Sequence, residues 1–144
     1  MPRAAYLARM STLPPRFPIS ETEIDRVVTT FYARVRAHPM LGAIFAAHVT
    51  DWPAHEAKVA RFWKGSILHQ EGYDGSPMRA HRQAENVKPG MFSTWLAVFD
   101  QTLRDELPEA TAQAWSALAH KIGTSLRAGV VERDMLPGGI PKLR

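Results

Sequence analysis

The chain contains no cysteine. That excludes disulfide frameworks, thiolate nucleophiles and cysteine-based zinc sites, and makes a reducing cytoplasm the simplest compartment to expect. Nor is there an apolar run approaching the roughly 20 residues that a membrane-spanning helix needs. Hydrophobic residues make up 45% and charged residues 22%, a globular balance and not that of a disordered or membrane chain. Strand-like alternation, internal repeats and low-complexity blocks are missing too. So are a phosphate-binding loop, a dinucleotide fingerprint and an H-E-x-x-H helix, since His55-Glu56 is followed by Ala57, Lys58 and Val59. Ser66 and Ser93 have no nucleophile-elbow context. Conventional hydrolase chemistry is therefore unsupported. What remains is 144 residues, enough for one domain with a real core.

The net charge of +4 invites a nucleic-acid reading until it is located. Residues 1–18 carry Arg3, Arg9 and Arg16 and no acid, giving +3. Residues 127–144 carry Arg127, Arg133, Lys142 and Arg144 against Glu132 and Asp134, giving +2. The body between them is at −1, close to neutral, and shows neither a helix-turn-helix nor aromatic-basic interleaving. Neither nucleic acid nor a membrane is expected as a partner.

The proline-punctuated start, residues 1–18, lacks the apolar stretch of a secretory signal and reads as a flexible extension. Residues 131–144 read as a flexible tail, with a domain between them at 19–130. Ser20 and Glu23 form a capping-box pattern, after which Ile24, Val27, Val28, Phe31 and Val35 recur at helical spacing up to Pro39. MLGAIFAAH reads as turn-rich. Thr50-Asp51 caps a second helix from Trp52 to about Gln70, whose stripe is Trp52, His55, Val59, Phe62, Trp63, Ser66 and Ile67. A short helix holds Met78 to Gln83. Met91, Phe92, Trp95, Leu96, Phe99 and Leu103 mark another, and Trp115, Leu118, Ala119, Ile122 and Leu126 the last. The chain reads as all-α, five or six helices around one core.

Of six histidines, His38, His48, His69 and His120 have bland positions near segment ends or off a stripe. His55 lies on an apolar stripe with Val59 and Phe62. His81 lies in a short helix between a glycine-bearing loop and an aromatic helix. Each alone is more often an ordinary polar residue than a ligand. A tetrahedral zinc site would need carboxylates that their apolar and basic neighbours do not supply. A large flat apolar cofactor with a central metal suits them better. It asks for one neutral imidazole on one side, apolar walls, and a few polar groups over the other face. Phe62, Trp63, Met91 and Phe92 can serve as walls, although singly each reads equally as core packing, and Tyr32 as a core phenol.

Six fragments then occur in order: FYARV at 31–35, LGAIF at 41–45, WPAH at 52–55, FW at 62–63, YDGSPMRAH at 73–81 and FSTWL at 92–96. Together they resemble the truncated haemoglobins, and more narrowly the third group of that family, over roughly residues 20–126. That group lacks the paired glycine motifs of the other truncated globins, and they are absent here too. The resemblance implies a globin-like, truncated two-over-two helical sandwich enclosing haem b. It implies His81 as the proximal iron ligand and Tyr32, His55 and Trp95 as the distal residues.

Chemistry agrees with those roles. A neutral imidazole is the usual fifth ligand of haem iron, and no cysteine competes. A polar diatomic ligand is held by donors facing it, for which the Tyr32 hydroxyl, the Trp95 indole N–H and His55 are candidates. The propionates need cations. Residues 58–88 hold Lys58, Arg61, Lys64, Arg79, Arg82 and Lys88 against Glu71, Asp74 and Glu85, and Lys58 and Arg79 are the candidates. Phe45, Val59, Phe62, Trp63, Met78, Met91 and Phe92 complete the expected cofactor contacts. Dioxygen, nitric oxide and carbon monoxide are the expected ligands. Tight oxygen binding favours redox chemistry or ligand capture, such as nitric oxide dioxygenation or peroxide reduction, over transport. Rapid turnover would require a reductase. The competing reading is a non-haem helical interaction module that uses its basic ends on acidic partners.

Overall fold

Ser20 starts the first helix as its capping box requires. Its Oγ accepts from the Glu23 N–H at 3.1 Å, and the Glu23 carboxylate accepts from the Ser20 N–H at 2.8 Å. An N-cap of this kind contributes about 1 kcal/mol. The Ser20 backbone N–H, and then the Ser20 hydroxyl, hold the Glu23 carboxyl below its ordinary pKa. In the computed structural model, which describes residues 13–135, six α-helices and no strand are found among the described residues. They are α1 (Glu21–Ala37), α2 (Pro39–Ala46), α3 (Trp52–Leu68), α4 (Pro77–Gln83), α5 (Met91–Glu106) and α6 (Glu109–Met135). The apolar stripe of α1 is buried as its spacing predicts, with Tyr32 added to it. Among the described residues, no helix is long and apolar enough to cross a membrane.

Three expectations are corrected. Residues 39–46 are helical and not a turn. His38 caps them, its Nδ1 accepting from the Met40 and Leu41 N–H groups at 3.2 Å each, and Pro39 sits in the first turn. Gly42 is required there, because a Cβ would lie 2.7 Å from the Arg36 carbonyl oxygen where α2 folds back on the end of α1. The second correction concerns residues 13–18 of the supposed extension. Phe17 is buried in the core, and Arg16 donates from its backbone N–H to the Ile67 carbonyl at 2.9 Å and from Nε to the Ser66 carbonyl at 2.7 Å. These are carbonyls that the last turn of α3 cannot satisfy itself, and a cation suits that end of the helix dipole. Third, α6 continues to Met135, past the boundary expected at 130. Its buried stripe runs on through Gly123, Leu126, Val130 and Arg133, where a glycine and an arginine stand at core positions and disguise the periodicity. The rest of both expected ends, residues 1–12 and 136–144, lies outside the described residues.

The α1 helix packs on α3 and α5, α5 packs on α6, and the short α4 is carried by α6. The buried side chains fall into two clusters. The larger holds Tyr32, Trp63, Phe99 and Trp115, with Phe45, Val59, Phe62 and Trp95 packed against it. The smaller holds Phe92, Leu126 and Val130, with Met78 and Val87 against it. Ile122 borders both.

Candidate functional site

His81 lies in the last turn of α4. Ser76 starts that helix, its Oγ accepting from the Arg79 N–H at 3.2 Å, so the ring of His81 is brought against the first turn. Its Nδ1 lies 2.6 Å from the Pro77 carbonyl oxygen. A carbonyl can only accept, so the Nδ1 proton is committed to it and the lone pair is on Nε2. Burial pushes the pKa of His81 below its ordinary value, outweighing the Pro77 bond, and the ring is neutral near pH 7. Phe92, near the start of α5, lies with its ring centroid 5.8 Å from the imidazole. A neutral histidine with one nitrogen anchored and the other free is the form in which histidine binds a metal.

The expected distal residues come from three helices. Tyr32 of α1 and His55 of α3 meet edge-on with ring centroids 4.9 Å apart. Phe45 of α2 and Trp52 of α3 enclose them, with Phe45 5.8 Å and Trp52 5.9 Å from the Tyr32 ring. Burial, with the nearby Glu56 carboxylate adding to it, raises the Tyr32 pKa far above its ordinary value, so the phenol keeps its proton. His55 is shifted down by burial and by Lys58, and its Nε2 is buried without a hydrogen-bond partner. An orphaned polar atom in a cage of rings is costly unless something completes it. Trp95 does not join that cage. It stacks on Phe99, 5.4 Å away at 4°, and meets Phe31 edge-on at 5.5 Å.

The expected walls divide. Phe62 and Met78 line a cavity of about 400 Å³ between α3, α4 and α6, together with Leu118, Ile122 and Leu126. Val59 is half-buried on α3, and Met91 and Phe92 begin α5, Phe92 as a member of the smaller cluster. Trp63 is instead a core residue, stacked on Phe99 at 5.6 Å and set edge-on to Trp115 at 5.4 Å. Among the cations, Lys64 is paired with Asp25 at 2.9 Å, Arg82 with Glu132 at 3.1 Å and Lys88 with Asp134 at 3.9 Å. Lys58 and Arg79 are exposed. Among the described residues, no three His, Asp or Glu side chains gather as a metal site.

Sequence reasoning missed three participants. Trp52 was visible on the α3 stripe, one turn before His55, and could have been assigned to the cage. Arg36 lies over its ring at 4.8 Å and pairs with Glu56 at 3.1 Å, fixing both beside Tyr32. Arg133 reaches the end of α4 from a position 52 residues beyond His81, which no local pattern discloses.

The residues present fit a haem: a free imidazole nitrogen on α4, an unpartnered one on α3, and apolar rings on both sides. Comparison with known proteins bears on the same point. A family described as bacterial-like globin matches residues 20–124. The group 3 truncated haemoglobin ctb of Campylobacter jejuni is 30% identical over 89 residues, spanning 59% of this chain and 70% of that protein. The crystal structure of the group III truncated haemoglobin from Campylobacter jejuni superposes with a TM-score of 0.75 at 26% identity, covering 78% of this chain and 92% of that one. The interaction-module reading gives way: the chain belongs to the bacterial-like globins, as a haem-binding truncated haemoglobin of the third group.

Proposed function

We propose that this globin holds haem b through His81 and captures dioxygen, nitric oxide or carbon monoxide for redox chemistry, not for oxygen transport. The observation that carries the reading is His81 itself, neutral, with Nδ1–H given to Pro77 and Nε2 left with its lone pair. Haem, held by His81, would supply an iron able to take a diatomic gas. The bond to the Pro77 carbonyl raises the basicity of the imidazole and fixes its ring orientation. Tyr32, held protonated by burial, donates to a polar ligand, and the Trp95 indole N–H is the second candidate donor. His55, neutral in its cage, uses Nε2 to donate to the ligand, to close the entrance, or to take the iron when no ligand is present. The surrounding rings of Phe45 and Trp52 keep water away from Tyr32 and His55. Lys58 and Arg79 are the cations proposed for the propionates.

Donors of this kind slow ligand release, and a tightly held oxygen is poor cargo. Nitric oxide dioxygenation and peroxide reduction are the reactions that follow, each fed by a reductase, with the cytoplasm as the compartment that supplies one. Absorption spectra of the purified protein across oxidation states, with and without carbon monoxide, test the assignment. A Soret band that His81→Gly removes or shifts, and that added imidazole restores, is the expected result. Nitrate formation is then measured after mixing the oxygen-equilibrated ferrous protein with nitric oxide; a slow or absent reaction removes the dioxygenase version and leaves peroxide reduction.

A further inference from the structure

The α4 helix has seven residues, and none of them is fully buried, His81 being half-buried. Isolated helices below about 12–15 residues are marginal in water, so α4 must be held from outside. Its start has Ser76. Its end has Arg133, one of the most deeply enclosed charged side chains, 5% exposed. From α6, Arg133 Nη1 donates to the Ala84 carbonyl at 3.0 Å and, more weakly, to those of His81 and Arg82 at 3.4 Å each. Nη2 donates to the Val87 carbonyl at 2.7 Å. Asp134 turns back on the same guanidinium, accepting from Nε at 2.9 Å and lying 2.8 Å from Nη2.

We propose that Arg133 is the positioning residue of His81, a claim that rests on His81 being the iron ligand. The last carbonyls of any helix lack partners within it, and a cation is favoured at that end of the dipole. Here one planar fork serves the carbonyl of the ligand residue, the carbonyl after it, and two more in the loop that leaves the helix. Pro77 fixes the imidazole from the first turn and Arg133 fixes the backbone of the last. Between those two anchors the Nε2 direction has little freedom left. Met78 adds a third hold, seated against Gly129 of α6, where a Cβ would overlap its sulfur. An ammonium group cannot reproduce the fork, because it presents a compact charge and not two divergent N–H pairs.

The test uses the full chain loaded with haem. Arg133→Met, Arg133→Lys and Asp134→Asn are compared with wild type and with Ile24→Val, which loosens the core of α1 away from α4. The readouts are the iron–histidine stretching band of the ferrous, ligand-free protein by resonance Raman, amide hydrogen exchange across residues 80–90, and the melting temperature. Arg133→Met is expected to shift and broaden the band and to quicken exchange in the last turn of α4 by about tenfold or more. Arg133→Lys restores melting temperature before it restores the band, and Asp134→Asn gives a smaller shift in the same direction. Ile24→Val lowers the melting temperature and leaves the band in place. If Arg133→Met fails to fold, the lysine and asparagine variants carry the same comparison. An unmoved band in the variants that fold overturns the positioning role. If His81→Gly keeps the wild-type band, the ligand assignment fails instead, and the quickened exchange of α4 persists without it.

Discussion

Tyr32 shows how burial fixes the protonation of an ordinary side chain, which suits it to the donor role proposed for it. Its ring is 4% exposed, boxed by Phe31, Phe45, Trp52 and His55, and the phenolate is penalised by desolvation and by Glu56. The hydroxyl proton is therefore present at any pH the protein meets. Tyr32→Phe keeps the ring packing and removes only the donor. A hydrogen bond of this kind is worth about 1–3 kcal/mol, so oxygen dissociation measured by stopped flow is expected to quicken about tenfold or more. An unchanged rate would move the donor role to Trp95. The candidate site was legible in the sequence as a set of residues, because His81, Tyr32, His55 and Phe92 are chemically conspicuous and stand in a recognisable order; the structure adds which of them meet, Tyr32 with His55 and His81 with Phe92. Trp63 was ambiguous for the opposite reason: a tryptophan on an apolar stripe looks the same whether it faces a cofactor or the centre of a bundle, and here it packs on Phe99 and Trp115. Arg133 was illegible, since its meaning lies entirely in carbonyls 46 to 52 residues earlier in the chain.

Among the elements, boundaries were readable where a cap or a proline marks them and unreadable where a distant segment decides. The starts of α1 and α3 follow from Ser20 and Asp51, the latter accepting from the Ala54 N–H at 3.1 Å. The α2 helix was hidden because its cap is an imidazole, and the extension of α6 because its stripe passes through glycine and arginine. The docking of α4 on α6 yields a sharp prediction. A side chain at Gly129 would meet the Met78 sulfur and Cε, the far end of a flexible chain, so Gly129→Ala is expected to cost little. Gly129→Val fills the notch and must displace α4, costing about 1–3 kcal/mol as overpacking does. Haem retention, read as the rate of transfer to an excess of apomyoglobin, should fall with it. Combining Gly129→Val with Met78→Ala relieves the clash and should recover part of the loss; no recovery would mean that the contact does not set the seating of α4. At the other end of the molecule, Phe17→Ala should destabilise the fold by about 3 kcal/mol, as for a buried aromatic. A loose extension would show no change in the denaturation midpoint.

For the whole molecule, the same burial that readies the two histidines makes stability depend on pH. In the haem-free chain His55 and His81 are both held below the ordinary histidine value of 6.5 by desolvation. The unfolded chain, where both rings are hydrated, therefore binds more protons than the folded one as pH falls through that value. Stability is full above about pH 6.5 and is lost progressively below it. Two shifted carboxyl groups act in the same direction but lower down: Glu23, held by Ser20, and the exposed Asp105, held chiefly by Arg34, both lie below their ordinary values of 4.5 and 3.8. Of these shifted groups, then, only the histidines act between about pH 5 and 6.5. Urea denaturation of the haem-free protein should show a midpoint that declines across that window, and His55→Gln or His81→Gln should flatten the decline. Haem changes the balance in a way that distinguishes the two rings. On the proposed ligation a metal on His81 would compete directly with its proton, so the loaded protein should gain stability by mass action, and the gain should shrink as pH drops and protons reclaim the nitrogen. If His55 never touches the iron, His55→Gln leaves the pH dependence of that gain as it was, whereas a histidine that takes the iron between ligands would make it steeper in wild type than in the variant.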